Sequence, residues 1–429
     1  MFPLKREKNY KYTMKFTRYK LDNGLKLLVH QDKSTPLVCV CMTYNVGTKD
    51  EEAGKSGFAH LFEHLMFGGS KHALSFDDHI QQAGGENNAF TNQDMTVYYE
   101  YMPYQNLETA LWLEADRMLH LNLDAKSLER EKKVVLEEFK ESCLNEPYGD
   151  IWHHIGPMAY RVHPYRIPTI GQVPKHIEEA NLEDVKAFFD RFYCPNNAVL
   201  SVCGNVEPEE VLTLTQKWFG EIEAGIVNKV KFPYEPAQIE KRVIEITANV
   251  PLNALYLVFH SAERNHNAYY VDDFITDVLA EGDASRLYQN LVKEQELFSS
   301  IDAYITASID TGLMIIEGKL SDDVSFEEAE KAIWNELEKL KNTLLSAQAV
   351  EKFQNRTEHN IEFSEMNNLH KAINLGYYEI LGDASMINEE KVKYNAITAV
   401  DIQERSQQIF QDSKCSVLYY KAKEKREKA

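Results

Sequence analysis

Two histidines four residues apart, with a glutamate directly before the second, stand inside an otherwise apolar run. They are His60, Glu63 and His64 in GFAHLFEHLMFGG, residues 57–69. Imidazoles at i and i+4 lie on the same side of an α-helix, so both rings can reach a single metal ion. On a helix opened by Ser56 as N-cap and stopped at Gly68–Gly69, Phe58, Leu61, Phe62 and Leu65 make one stripe. The three polar side chains make a second. A helix apolar over the rest of its surface is mostly buried, and desolvating these groups is costly unless a metal or other partners take them up. A solvated His-Glu-His surface cluster is the plainer reading, and the aromatic and aliphatic surroundings argue against it.

A second segment, EREKKVVLEEFKES, places Glu131 and Glu138 two helical turns apart on one face. Alone it reads as a solvated Glu/Lys helix. Taken with H-x-x-E-H, the inverted zinc signature, it makes the chain resemble the pitrilysin-type, or M16, metallopeptidases (inverzincins) over nearly its whole length. That resemblance implies one Zn²⁺ per chain held by His60, His64 and Glu138, the last standing 74 residues after His64. It makes Glu63 the base that takes the proton of the attacking water, and Glu131 a supporting glutamate that orients a ligand and aids proton transfer. Glu137 is the neighbouring alternative to Glu138, but it faces about 100° away. The segment GGENNAFTNQDMTVYY resembles the family stretch that leads into an edge strand beside the zinc. By that likeness Asn88, Ala89 and Phe90 bind substrate backbone, since a free strand edge bonds a peptide main chain with little demand on its sequence. A polar turn before a strand is the bland reading of the same residues.

The chain departs from the family in its second half. Single-chain active members carry an arginine and a tyrosine seven residues apart there, and the matching positions in SRLYQNLVKEQELFSSIDAY fall on Val292 and Ser299. Lys293 and Phe298 adjoin them and neither restores the pair, while Arg286 and Tyr304 lie nearby and are the candidates a shifted alignment would offer. The family includes heterodimers in which one chain brings zinc and a paralogue brings the arginine and tyrosine. The expectation is therefore a zinc endopeptidase for unfolded peptides, the catalytic subunit of such a pair and half of a clam-like chamber. A non-catalytic assembly subunit and a self-sufficient homodimer are the alternatives.

The elements that must position these residues alternate between strand-like and helix-like along all 429 residues. LKLLVHQ, PLVCVCMTYNVG and DMTVYYEYMP read as strands, and 104–121, 126–143 and 182–192 as helices. The fold class is α+β, built as two related α/β-layer domains, a duplicated M16/LuxS-like metallohydrolase fold by the resemblance. Residues 1–228 form the zinc-binding domain, 229–242 a Pro-containing linker, and 243–429 a related domain expected to be non-catalytic. The relation rests on two pairs of segments. NLEDVKAFFDRFYCPNNAVLSVCGNV parallels AITAVDIQERSQQIFQDSKCSVLYYKAK, and PLVCVCMTYNVGTKDE parallels NALYLVFHSAERNH.

A net charge of −20, from 67 acidic and 47 basic residues, disfavours nucleic acid and anionic membranes and favours basic peptides as substrates. The six cysteines form no CxxC, and Cys39 and Cys41 read as small core residues of one strand in a reducing compartment. No export signal or membrane-spanning run is visible, which points to the cytoplasm, with the periplasm or an organelle as the alternative for a chain whose targeting segment has been removed.

Overall fold

The computed structural model describes residues 13–227 and 231–423. The opening segment read for an export signal, up to residue 12, and the first two linker residues lie outside the described residues. No described helix is long and apolar enough to cross a membrane.

The strands form two sheets. The first contains β1 (Thr17–Lys20), β2 (Lys26–Gln31), β3 (Leu37–Tyr44), β4 (Glu86–Thr91), β5 (Thr96–Pro103) and β6 (Ala198–Gly204), in the order β1-β2-β6-β3-β5-β4. The second contains β7 (Arg242–Ala248), β8 (Ala254–His260), β9 (Phe298–Ile305), β10 (Leu313–Leu320) and β11 (Ser416–Ala422), in the order β7-β11-β8-β10-β9. Leave out β1 and the two sheets have one topology. In each, a parallel pair (β2 with β6, β7 with β11) is followed by three antiparallel pairings in the same chain order. The duplication expected from paired segments is thus present in the wiring of the sheets.

Eight helices matter below: α1 (Phe58–Leu65), α2 (Leu107–His120), α3 (Ala125–Phe139), α4 (Ile151–Ala159), α5 (Leu182–Phe192), α6 (Asn267–Ala280), α7 (Asn368–Leu381) and α8 (Ala399–Ile409). Three of them answer the expected helical spans, with one difference at the C-terminal end of α3. There the regular helix stops at Phe139 and widens into a π-type turn over Lys140–Asn145, where the Ser142 hydroxyl donates to the Glu138 carbonyl.

β3, LVCVCMTY, is apolar almost throughout because helices cover both of its faces. Val38, Val40 and Met42 meet Leu61 and Phe62 of α1 in one core, while Cys39 and Cys41 meet Ala372 and Leu375 of α7 in another. The second sheet repeats this. Leu257 and Phe259 pack with Phe274 of α6 and Ile409 of α8, and Tyr256 and Val258 pack with Ile155 and Met158 of α4. Each half therefore lends one helix to the outer face of the other's sheet. The approach of α7 to the first sheet is close enough to require glycine, since a Cβ on Gly376 would stand 2.3 Å from Thr43 Oγ1. All six cysteines are free and buried.

Candidate metal centre

The helix α1 is held on three sides. Phe62 stacks on Phe188 of α5 and on Tyr193, each at 5.0 Å between ring centroids. Its carbonyl accepts the Tyr98 hydroxyl of β5 at 3.3 Å. Tyr98 is in turn capped by the Arg117 guanidinium of α2, 4.4 Å from its ring. Arg117 is buried with Glu114 and Glu100, and burial together with Glu114 pushes the Glu100 carboxyl far up. A protonated Glu100 leaves a single positive and a single negative charge in the dry layer, an arrangement far less costly than two bare carboxylates.

The start of α1 differs from expectation. Gly57, at φ +88°, occupies the N-cap position, and its left-handed backbone together with Ile170 O, 2.9 Å from where a Cβ would sit, excludes other residues. Ser56 does not cap the helix. Its hydroxyl accepts the Gln172 N–H at 2.7 Å and meets His176 Nδ1 at 2.7 Å, fastening the 170–176 loop instead. The free N–H groups of α1 are taken by Glu51, whose two carboxylate oxygens accept from Gly57 and Ala59, both at 2.9 Å. Burial pushes Glu51 up to about 8 against the pull of these donors. Because its two oxygens take up N–H groups at the start of the helix, Glu51→Ala is expected to destabilise the chain by about 1–3 kcal/mol. A urea unfolding midpoint unchanged by the substitution would contradict that role.

On the polar side of α1, His60 Nε2 and His64 Nε2 are 3.4 Å apart. Glu138, projecting from α3, places one oxygen 3.5 Å from His60 Nε2 and the other 3.3 Å from His64 Nε2. At bonds of about 2.0–2.2 Å, ligand atoms around a tetrahedral zinc stand about 3.3–3.6 Å from one another. The two imidazole nitrogens have that spacing, each has a Glu138 oxygen at a similar distance, and one ligand atom from each residue lies within 4.8 Å of the others. Two imidazole nitrogens and a carboxylate are also the donor types zinc takes, so the residues fit the ion. Burial holds His60 low, at about 4, keeping it neutral as a ligand must be. His64 is pulled down by burial too, but the bond and charge of Glu138 outweigh this and raise it. Glu138 is itself lowered, first by His64.

Glu137 points elsewhere. It is two-thirds exposed and pairs with Lys140 at 2.6 Å. Glu131 is largely buried, and its carboxylate accepts from Arg130 Nε at 2.6 Å while its charge helps hold His64 up. Its connection to the ligand set therefore runs through charge, with Arg130 fixing its orientation. If that connection tunes the ligands, Glu131→Gln should weaken zinc binding or activity by about 10–100-fold. Competition with a chromophoric chelator would read this directly, and an unchanged affinity and rate would remove Glu131 from the site.

Glu63 lies between α1 and the sheet edge. Burial raises its carboxyl, while hydrogen bonds from Thr91, the last residue of β4, pull the other way. Asn88, Ala89 and Phe90 are part of β4 itself and not of a turn before it, and β4 is the free edge of the first sheet. Successive residues of an edge strand point their amides alternately to the neighbour and outward. The Ala89 N–H is answered by its own neighbour, Asn88 Oδ1, at 2.8 Å. Ala89 and Thr91 thus face the open edge, and Asn88 and Phe90 face β5 in register with Tyr99 and Val97.

In the second half α6 occupies the place of α1, and its sequence NAYYVDDFITDVLA carries no histidine. Val292 is half-buried and Ser299 is exposed on β9, itself an edge strand. Arg286 is engaged with buried Glu336 at 3.5 Å, and the Tyr304 hydroxyl donates to Glu317 at 3.2 Å.

Residues 26–172 match the family described as insulinase, peptidase family M16, and residues 179–357 match the peptidase M16 inactive domain. The chain is 31% identical over 336 residues to the zinc protease PqqE of Helicobacter pylori, covering 77% of this chain and 76% of that protein. Among solved structures it resembles a protease from Helicobacter pylori with a TM-score of 0.89 and 27% identity, covering 95% of this chain and 99% of the other. It also resembles in fold the periplasmic protease PqqL from Escherichia coli, with a TM-score of 0.80 and 18% identity, covering 96% of this chain but 48% of that one.

Proposed function

The chain belongs to the M16 peptidase family, and from that premise we propose that it is a zinc-dependent endopeptidase acting on unfolded peptides. The observation that carries this reading is the convergence of His60, His64 and Glu138, whose ligand atoms lie within 4.8 Å of one another, beside a free strand edge. When bound there, zinc supplies an acidified water and a Lewis acid for the peptide carbonyl. The residues of the chain do the rest. β4 aligns the peptide as an added strand through the outward groups of Ala89 and its alternate neighbours. Glu63 accepts the proton of the attacking water and delivers it to the leaving amine. Thr91, bonded to Glu63, keeps the carboxylate aimed at the site.

The proposed division gives residues 1–228 the chemistry and residues 243–429, beyond a linker at 229–242, an architectural role. This half-chamber reading is supported by the chain spanning about half of PqqL. A net charge of −20, where it lines the chamber, selects basic peptides. The test is mass-spectrometric detection of cleavage in a mixture of unfolded peptides, with the chain zinc-loaded, chelated, and combined with a paralogue. Products that appear only with zinc support the reading. Products that persist through complete chelation would sink it.

A further inference from the structure

A second cluster of metal-binding side chains lies at the far end of the segment that follows α1. His72, Asp116 and His120 each offer one ligand atom, and the three atoms lie within 4.8 Å of one another. Asp116 and His120 are i and i+4 on the last turns of α2, so they share a face. His72 is delivered by a turn that is tied to the same helix end. Lys71 N–H donates to the His120 carbonyl at 3.1 Å, Asn122 N–H to the Gly69 carbonyl at 3.0 Å, and Ser70 bridges Leu121.

We propose that these three residues form a second metal site, taking a borderline divalent transition ion such as Zn²⁺, Co²⁺ or Ni²⁺. Two imidazoles and a carboxylate select such ions over Mg²⁺ or Ca²⁺, which take oxygen ligands. The supporting contacts are in place. The Ser70 hydroxyl and the His72 N–H both bond Asp116 Oδ2, leaving Oδ1, now 2.6 Å from His72 Nδ1, turned towards the imidazoles. The His72 and His120 rings meet edge to face at 5.3 Å, and His72 is half-exposed, so an ion can enter from solvent. The site sits at the negative end of the α2 dipole, which favours a cation. Metal binding replaces the His72–Asp116 hydrogen bond and fastens the chain leaving α1 to the end of α2. An ion here therefore braces the helix that carries His60 and His64 without touching either.

The measurement is the zinc content of the full chain after equilibrium dialysis against low-micromolar free Zn²⁺. Wild type should hold two ions, and His72→Ala/His120→Ala one. His60→Ala/His64→Ala should also hold one, and the fourfold variant none. In His60→Ala/His64→Ala, Zn²⁺ should still raise the thermal midpoint, and adding His72→Ala/His120→Ala should abolish that rise. Zinc content that is unchanged by loss of both His72 and His120, whatever the wild-type count, overturns the proposal. Failure of the first cluster would show separately, as unchanged zinc in His60→Ala/His64→Ala. His72 and His120 are not core residues, and circular dichroism of their variants checks that the fold is retained.

Discussion

Glu63→Gln is expected to lower kcat for peptide cleavage by about 10²–10⁴-fold while zinc content stays at the wild-type value. The amide keeps the size of the carboxylate and can still bond Thr91, so α1 and the edge of β4 should not move. What it loses is the capacity to take a proton. Glu63 lies outside the ligand triangle, which needs only His60, His64 and Glu138. Its burial raises its proton affinity, bringing it nearer the range in which a general base works at neutral pH. The two readouts must be taken together. Lost cleavage with retained zinc assigns Glu63 to proton transfer. Lost zinc would make it a part of the metal's support, and retained cleavage would require another base.

His60, Glu63 and His64 were legible because a helix converts spacing into facing, and H-x-x-E-H needs only that one conversion. Glu138 against Glu137 was harder, since both sit on a Glu/Lys-rich helix. The choice rests on which oxygen pair reaches the imidazoles and which meets Lys140. The cap of α1 was not legible. Ser56 has the right residue type at the right place, yet a loop more than a hundred residues later claims its hydroxyl. Glu51 then serves the helix from outside any local capping pattern. Thr91 gave no signal of its own either, because its partner is set by where an edge strand passes α1. The apolar run of β3 announced that both faces would be covered. It could not announce that the second cover is α7, from more than three hundred residues downstream, because alternation reports burial and not the identity of what buries.

The other large effect concerns what the second half lacks. The zinc-loaded chain alone is expected to cleave peptides slowly, and a paralogue bearing an arginine and tyrosine in place of Val292 and Ser299 should accelerate it by about 10²–10³-fold. A developing oxyanion needs donors fixed near the metal, and the matching positions here offer an aliphatic side chain and a serine. The Ser299 hydroxyl donates to the Lys319 carbonyl of β10 within its own sheet. Arg286 and Tyr304 cannot stand in, since each would have to leave an acidic partner. For Arg286 that partner is the buried Glu336, which it shares with Lys339 at 2.6 Å and the Asn290 amide at 2.8 Å, so moving the guanidinium away would give up one of three partners of a buried carboxylate. The relevant comparison is kcat/KM for one peptide with the chain alone, with the paralogue, and with the paralogue lacking its arginine. Acceleration by the intact paralogue alone would establish a shared active site. Full activity of the isolated chain would mean that it completes the oxyanion site by itself or as a homodimer. Inactivity in every combination, despite bound zinc, would turn the reading towards an assembly subunit that keeps its metal for structural reasons.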